Sequence, residues 1–220
     1  MDNATLIRVA SYLAAAICMG LGAVGPAIGV GVAAGSGVRS MTRQPRQSGY
    51  LLRQMLIGQA ITETAGIFAL VVAMIFIFSV PADAVGEWSA AATWTLALGY
   101  IGGAMAMGLG AIGTGVGNGV VTFEANNAVS TIPKRGSRVM ITMFIGQALS
   151  QTPVIFCLLI AIFLKFQIGV DYDNLDSAGE AAILACRLLG AGIAMGAGAI
   201  GPAVGISMVG AAASDATGAR

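Results

Sequence analysis

GLGAVGPAIGVGVAAGSGV, residues 20–38, decides the fold, because two incompatible structures claim it. Gly20, Gly22 and Gly25 fit the G-x-G-x-x-G pattern of a dinucleotide-binding turn. That pattern has meaning only between a strand and a helix of a βαβ unit. Here no strand signal precedes it, and it lies midway through a long apolar run of helical character. In such a run, glycines four residues apart share one helix face and let another backbone approach closely. Gly25 and Gly29, and Gly31 and Gly35, are spaced in that way. The stretch therefore predicts a helix packed in lipid.

Composition agrees. Of 220 residues 57% are hydrophobic and 10% charged, with mean hydropathy +0.86; soluble domains carry roughly 25% charged residues. A net charge of +1 without a basic run argues against a nucleic-acid partner. With no histidine and three scattered cysteines, a metal or haem cofactor has no ligand set. Cys18, Cys157 and Cys186 lie in apolar segments and read as packing residues. No basic segment and small-residue cleavage site mark the N-terminus as a leader, so the first apolar segment is expected to stay.

Hydropathy predicts an all-α membrane protein with five spanning helices, at about 5–40, 48–79, 91–130, 136–167 and 178–213. The connections MTRQPRQSGYLLR and IPKRGSR are basic, whereas VPADAVGEW and GVDYDNLDSAGE are acidic. The positive-inside bias puts the basic loops in the cytoplasm and the N-terminus outside.

The glycine string recurs as GLGAIG at Gly108 and GAGAIG at Gly196, and 108 − 20 and 196 − 108 are both 88. The same offset carries Gln59 to Gln147, Pro45 to Pro133 and Glu63 to Gln151, without a gap. It also carries the glycine face to Gly113 and Gly117, and to Gly201 and Gly205. The chain thus reads as tandem helical hairpins: 1–88, 89–176, and the first helix of a third over 177–220. Either two and a half hairpins are the natural unit or the sequence is a fragment. Thin glycine helices inside and thick ones outside, such as MIFIF at 74–78 and VIFCLLIAIFLKF at 154–166, would make each hairpin a wedge of a cylinder.

Each second helix carries a polar phrase: GQAITETAG at 58–66 and GQALSQTPV at 146–154. The first holds a carboxylate, Glu63, in the middle of an apolar span; the second holds an amide, Gln151. An intramembrane acid costs about 2.5–3.5 kcal/mol on insertion scales and marks a functional site. In lipid it is expected to travel neutral, and a nearby fixed cation would release its proton. Gln59, four residues before Glu63, shares its face. Pro153 removes a backbone donor and is expected to kink its helix.

The glycine-rich helix, the Arg43–Gln44–Pro45 turn and GQAITETAGIF around one carboxylate together resemble the c subunit, or proteolipid, of F-type rotary ATP synthases. The tandem duplication and the lost carboxylate resemble the V-type proteolipids. The resemblance implies a ring of copies of the chain in a cell membrane, as in a bacterial inner membrane. It implies partners too: membrane lipid, a stator a subunit with an arginine, and central stalk subunits touching Arg43, Gln44 and Pro45. Reversible protonation of Glu63 would couple ion flow to rotation, with catalysis left to partners, since the chain has no ATP-binding loop. By the same resemblance Thr64 and the carbonyl of Ile61 are ligand candidates; a threonine in an apolar helix also bonds back to its own turn. Both ions stay open: Val30 replaces the glutamine of sodium-binding relatives and favours protons, whereas Asn118 in the second repeat could reach a sodium site between hairpins. Gln151 should pack in the ring and transport nothing, which leaves one carrier per chain. A V-type-like ATP-driven pump also fits that ratio. Readings of another class are a structural scaffold, and a channel, for which only scattered polar groups occur. Glu124 is expected at the interface, and Lys165 is expected to snorkel to the opposite face.

Overall fold

A computed structural model describes residues 2–80, 89–166 and 178–219. Its elements are α1 (Asn3–Arg43), α2 (Ser48–Phe78), α3 (Ala90–Thr131), α4 (Gly136–Ser150), α5 (Thr152–Phe166) and α6 (Ala178–Ala219). Short 3₁₀ turns at Pro45–Gln47 and Pro133–Arg135 join α1 to α2 and α3 to α4. Among the described residues there is no strand, and five segments are long and apolar enough to cross a membrane, α4 and α5 forming one crossing. The bulk of both acidic connections lies outside the described residues. At 1.5 Å per residue the inner helices span roughly 60 Å, twice a hydrocarbon core of about 30 Å, so their ends project beyond it.

The fourth crossing breaks at Gln151, as Pro153 predicts. Proline has no N–H for the carbonyl four residues back. The Gln151 N–H bonds Gln147 O at 3.2 Å, and the ladder resumes when the Ile155 N–H bonds Gln151 O at 3.2 Å. The equivalent stretch of α2 runs unbroken.

Two layers result. α1, α3 and α6 form an inner row with α3 in the middle; α2 lies in the groove between α1 and α3, and α4–α5 in that between α3 and α6. The row forms because glycine meets backbone. A Cβ on Gly29 would lie 2.1 Å from the Gly115 carbonyl oxygen, and one on Gly25 would lie 2.4 Å from Ile112 Cα. One repeat later, a Cβ on Gly113 would lie 2.7 Å from Ile200 Cα and one on Gly117 2.2 Å from Ser207 Oγ. Inner and outer layers repeat as faithfully: a Cβ on Gly22 would meet Ala69 Cβ and one on Gly110 would meet Cys157 Sγ, each at 2.3 Å. Cys18 and Cys157 are buried in these contacts, while Cys186 is exposed; all three are free. The outer faces of α2 and α5 display exposed Leu70, Met74, Phe78, Phe156 and Phe163, a surface suited to lipid.

One expectation is not met within a single chain, and one is corrected. Gly31, Gly201 and Gly205 face nothing within 4 Å, and Gly35 meets only the Arg39 side chain of its own helix. They share the sequence motif of their packed counterparts, but α1 and α6 are the ends of the row, so each has one face without a neighbour. Lys165 does not snorkel. It is 2% exposed, and its Nζ donates to Ser79 O at 2.6 Å, lying 3.8 Å from the Tyr100 ring centroid and 5.6 Å from that of Phe76. The unpaired carbonyls at the C-terminal end of α2 attract a cation, and the aromatic faces replace water around it. Glu124 is half-buried near the end of α3.

Gly29→Ala should lower stability by about 1–3 kcal/mol, because the new methyl meets a carbonyl that cannot yield. Gly31→Ala should stay within about 0.5 kcal/mol. Thermal unfolding of the monomeric chain in detergent distinguishes the two.

Candidate ion-binding site

Glu63 is the middle residue of α2, roughly 22 Å of helix from either end. It is exposed at the chain's surface and borders a groove of about 330 Å³ between α1 and α2. Met19, Ala23, Pro26, Ala27 and Val30 form the α1 wall; Gly66, Ile67 and Leu70 continue the α2 wall. Every other lining side chain is apolar, and Glu63 has no hydrogen bond or ion pair among the described residues.

The ligands expected around Glu63 are engaged elsewhere. Gln59 Nε2 donates to Val30 O at 3.2 Å, tying α2 to α1 instead of bonding Glu63. That carbonyl has a second lone pair beyond its helical bond, so it competes with the acid for the amide. Thr64 Oγ1 donates to Ile61 O in its own turn at 2.6 Å. Both oxygens then accept from Gln151 Nε2, at 2.6 Å for Thr64 Oγ1 and 3.0 Å for Ile61 O. Ile61 and Thr64 therefore gather round the amide of the second hairpin. Residues 63 and 64 point about 100° apart on a helix; one faces the groove beside α1 and the other faces α4–α5.

Asn118 belongs to the second hairpin's cluster. Its Oδ1 accepts a short hydrogen bond from Ser150 Oγ, and its backbone carbonyl accepts from Gln147 Nε2 at 3.3 Å, the repeat counterpart of Gln59 on Val30. Gln147 Nε2 also reaches Thr122 Oγ1 at 2.9 Å and Gly58 O at 3.2 Å. Further along α3, Asn126 accepts from Gln54 Nε2 at 3.3 Å and donates to Ser36 Oγ at 3.0 Å. Asn118, Thr122 and Asn126, four residues apart, form one fully buried polar face of α3, Asn118 and Thr122 bonded to hairpin 2 and Asn126 to hairpin 1. The polar groups that are scattered in the sequence are thus assembled into a line. The spacing N-xxx-T-xxx-N was the available signal, and the counterparts in α1, Val30, Ala34 and Val38, carry no polar group.

Arg43, Gln44 and Pro45 form the turn after α1. The Gln44 N–H closes on Ser40 O at 3.0 Å, and the Gln47 N–H bonds Gln44 O at 2.9 Å. The second turn repeats this with Ile132 on Ala128 O and Arg135 on Ile132 O. Both turns lie at the same end, since Tyr50 packs against Gly136.

The sequence profile of the ATP synthase c-subunit family matches residues 13–76 and again 101–164, two copies in the 88-residue register. The ATP synthase c subunit of Alkaliphilus oremlandii is 47% identical over 76 residues, which is 34% of this chain and 85% of that protein. Its equivalent in Natranaerobius thermophilus is 42% identical over 81 residues, 37% of this chain and 93% of that protein. The one from Nostoc sp. is 43% identical over 76 residues, 34% of this chain and 94% of that protein. With two matches in tandem over more than half its length, the chain belongs to the ATP synthase c-subunit family, the non-catalytic membrane rotor component of the synthase.

Proposed function

We propose that the chain carries one exchangeable proton, on Glu63, in a rotor ring built of copies of itself. The observation that carries this reading is the position of Glu63: mid-span, at the rim of an apolar groove, with no bond to any of the described residues. In hydrocarbon the charged form of a carboxyl is the costly one, and a cation brought alongside from another subunit offsets that cost, the role of a stator arginine. No sodium ligand set surrounds it among the described residues: Val30 is apolar, Gln59 is bonded to Val30 O, and the oxygens of Ile61 and Thr64 accept from Gln151. Asn118 lies with Ser150 and Gln147 instead.

The bare ends of the inner row support self-assembly. The Gly25–Gly29 face receives α3, and the Gly113–Gly117 face receives α6. The third member of the series, Gly201–Gly205, is open, and so is Gly31, the counterpart of Gly119, where a Cβ would lie 2.4 Å from Gly29 Cα. Unlike faces open at opposite ends of a row make a head-to-tail contact, which generates a ring when the rotation closes. Ala27 lines both that open edge of α1 and the groove of Glu63, so the carrier sits at the seam between chains. The turns around Arg43–Gln44–Pro45 and Pro133, with Arg46, Lys134 and Arg135 beside them, fit a cytoplasmic surface that meets the central stalk.

Glu63→Gln should abolish ATP-driven proton uptake by vesicles holding the complex. Carbodiimide should label one acid per chain, and sodium should not protect it. Two labelled acids per chain, or undiminished uptake by the variant, would refute the proposal. Gly205→Leu should leave the monomer's stability unchanged while blocking ring assembly, read by native mass spectrometry; a normal ring would exclude this seam.

A further inference from the structure

Gln151 stands where the repeat would place a second acid, yet its contacts give it a task. We infer that Gln151 is a positioning residue for Glu63: its amide fixes the rotation of α2 that turns the acid into the groove beside α1. The inference rests on the reading of Glu63 as the ion carrier.

The chain of causes begins at Pro153. The break it makes between α4 and α5 falls on Gln151, whose side chain crosses the seam to α2. The hydrogens there have one consistent arrangement. Thr64 Oγ1 gives its only hydrogen to Ile61 O at 2.6 Å, so towards Gln151 it presents lone pairs. Ile61 O presents lone pairs as well. Residue 151 must therefore donate, and Nε2 does so to both oxygens, at 3.0 and 2.6 Å. A carboxylate would set acceptors against acceptors, and a carboxylic acid would donate only while protonated. The amide donates at every stage of a transport cycle.

This bond acts on Glu63 through helix geometry. Thr64 is the next residue, about 100° round the axis. Tethering it to hairpin 2 leaves Glu63 facing α1. The other side-chain ties of α2 to its neighbours lie towards its two ends: Gln54 to Asn126 and Gln59 to Val30 O before Glu63, and Cys18 Sγ to Ala69 O and Ser11 Oγ to Phe76 O after it, which leaves Gln151 as the tie at residues 61–64. At the level of Glu63 the α1 wall faces Gly66 with Pro26, whose Cγ would lie 3.5 Å from a Cβ there, so residue 66 has no side chain to interlock with α1. A helix free to turn would hold the acid in the groove for only part of the time, and its apparent reactivity would fall by that fraction.

The test uses the assembled complex in native membranes and reads carbodiimide labelling of Glu63 by mass spectrometry. Thr64→Val should slow labelling about fivefold, the size expected for losing one net hydrogen bond, and Gln151→Leu, which loses two, at least as much. The double variant should be no slower than Gln151→Leu, since that change already removes both bonds. Thr64→Ser, which keeps the hydroxyl, should label at the parental rate. An unchanged rate in Gln151→Leu, additive losses in the double variant, or a Thr64→Ser as slow as Thr64→Val would each overturn the inference. Should Gln151→Leu fail to assemble, the contrast between Thr64→Val and Thr64→Ser decides alone. If labelling of the parent leaves ATP-linked proton uptake intact, the ion-carrier reading fails, and the labelling rates still judge the clamp.

Discussion

Between α1 and α3 backbone touches backbone, and the rest of the molecule is arranged around that approach. Lipid tails are as apolar as leucine, so burial of apolar surface gives helices little reason to associate in a bilayer. Contact must come from dispersion over closely fitted surfaces, and the deletion of side chains at Gly25, Gly29, Gly115 and Gly119 supplies it. A row of helices this close has grooves on its outer side but too little room for a second layer of equal thinness. The bulkier α2 and α4–α5 fill those grooves. Glu63 owes its place to this layering: it is on an outer helix, mid-span, at the edge where the inner row ends.

The two hairpins share this skeleton and differ in chemistry. Packing pairs repeat from one to the next, as with Gly22–Ala69 and Gly110–Cys157. Hydrogen bonding repeats only in part: Gln147 on Asn118 O matches Gln59 on Val30 O, but the side chains of Asn118, Thr122 and Asn126 have no polar counterparts in α1. Polar side chains buried in a membrane protein cost free energy unless bonded; here Thr122 and Asn118 bond to Gln147 and Ser150 within hairpin 2, while Asn126 to Ser36 and Gln147 to Gly58 O cross the seam to hairpin 1. That seam lies within one chain and has no reason to open. The edge beside Glu63 has apolar walls and a single acid without partners among the described residues. On the proposed reading, duplication has allowed one seam to become a fixed joint while the other stays open to exchange.

Much of this was legible in residue order. Helix number, the layer each helix occupies and the break at Pro153 followed from hydropathy, the 88-residue register and the chemistry of proline. Partners across helices were not. From spacing alone Gln59 faces Glu63, because i, i+4 neighbours are the only ones a single helix reveals; Val30 O comes from another helix and wins. Thr64 and Ile61 adjoin Glu63 in sequence, yet about 100° of rotation assigns them to Gln151. Gly29 and Gly31 look alike in the sequence, and only the position of α1 at the end of the row makes one indispensable to packing and leaves the other bare. Lys165 misled for a similar reason: a lysine near a helix end suggests water, but the carbonyl of Ser79 and the face of Tyr100 lie closer.

A carrier acid answers to two opposed demands. It must be cheap to keep neutral in lipid, and it must give up its ion readily beside a cation. Each hydrogen bond from a fixed donor would favour the anion and add cost in lipid; each fixed acceptor would hold the proton and slow release. On the proposed reading Glu63, with neither among the described residues, leaves both steps to groups that come and go with rotation. Gln151 meets the contrary demand. With its amide nitrogen engaged by two acceptors and no charge to lose, it is suited to a joint that must not respond to the passing cation. If Glu63 is the carrier proposed above, the same slot of the repeat serves motion in one hairpin and rigidity in the other, and the choice between carboxyl and amide separates them.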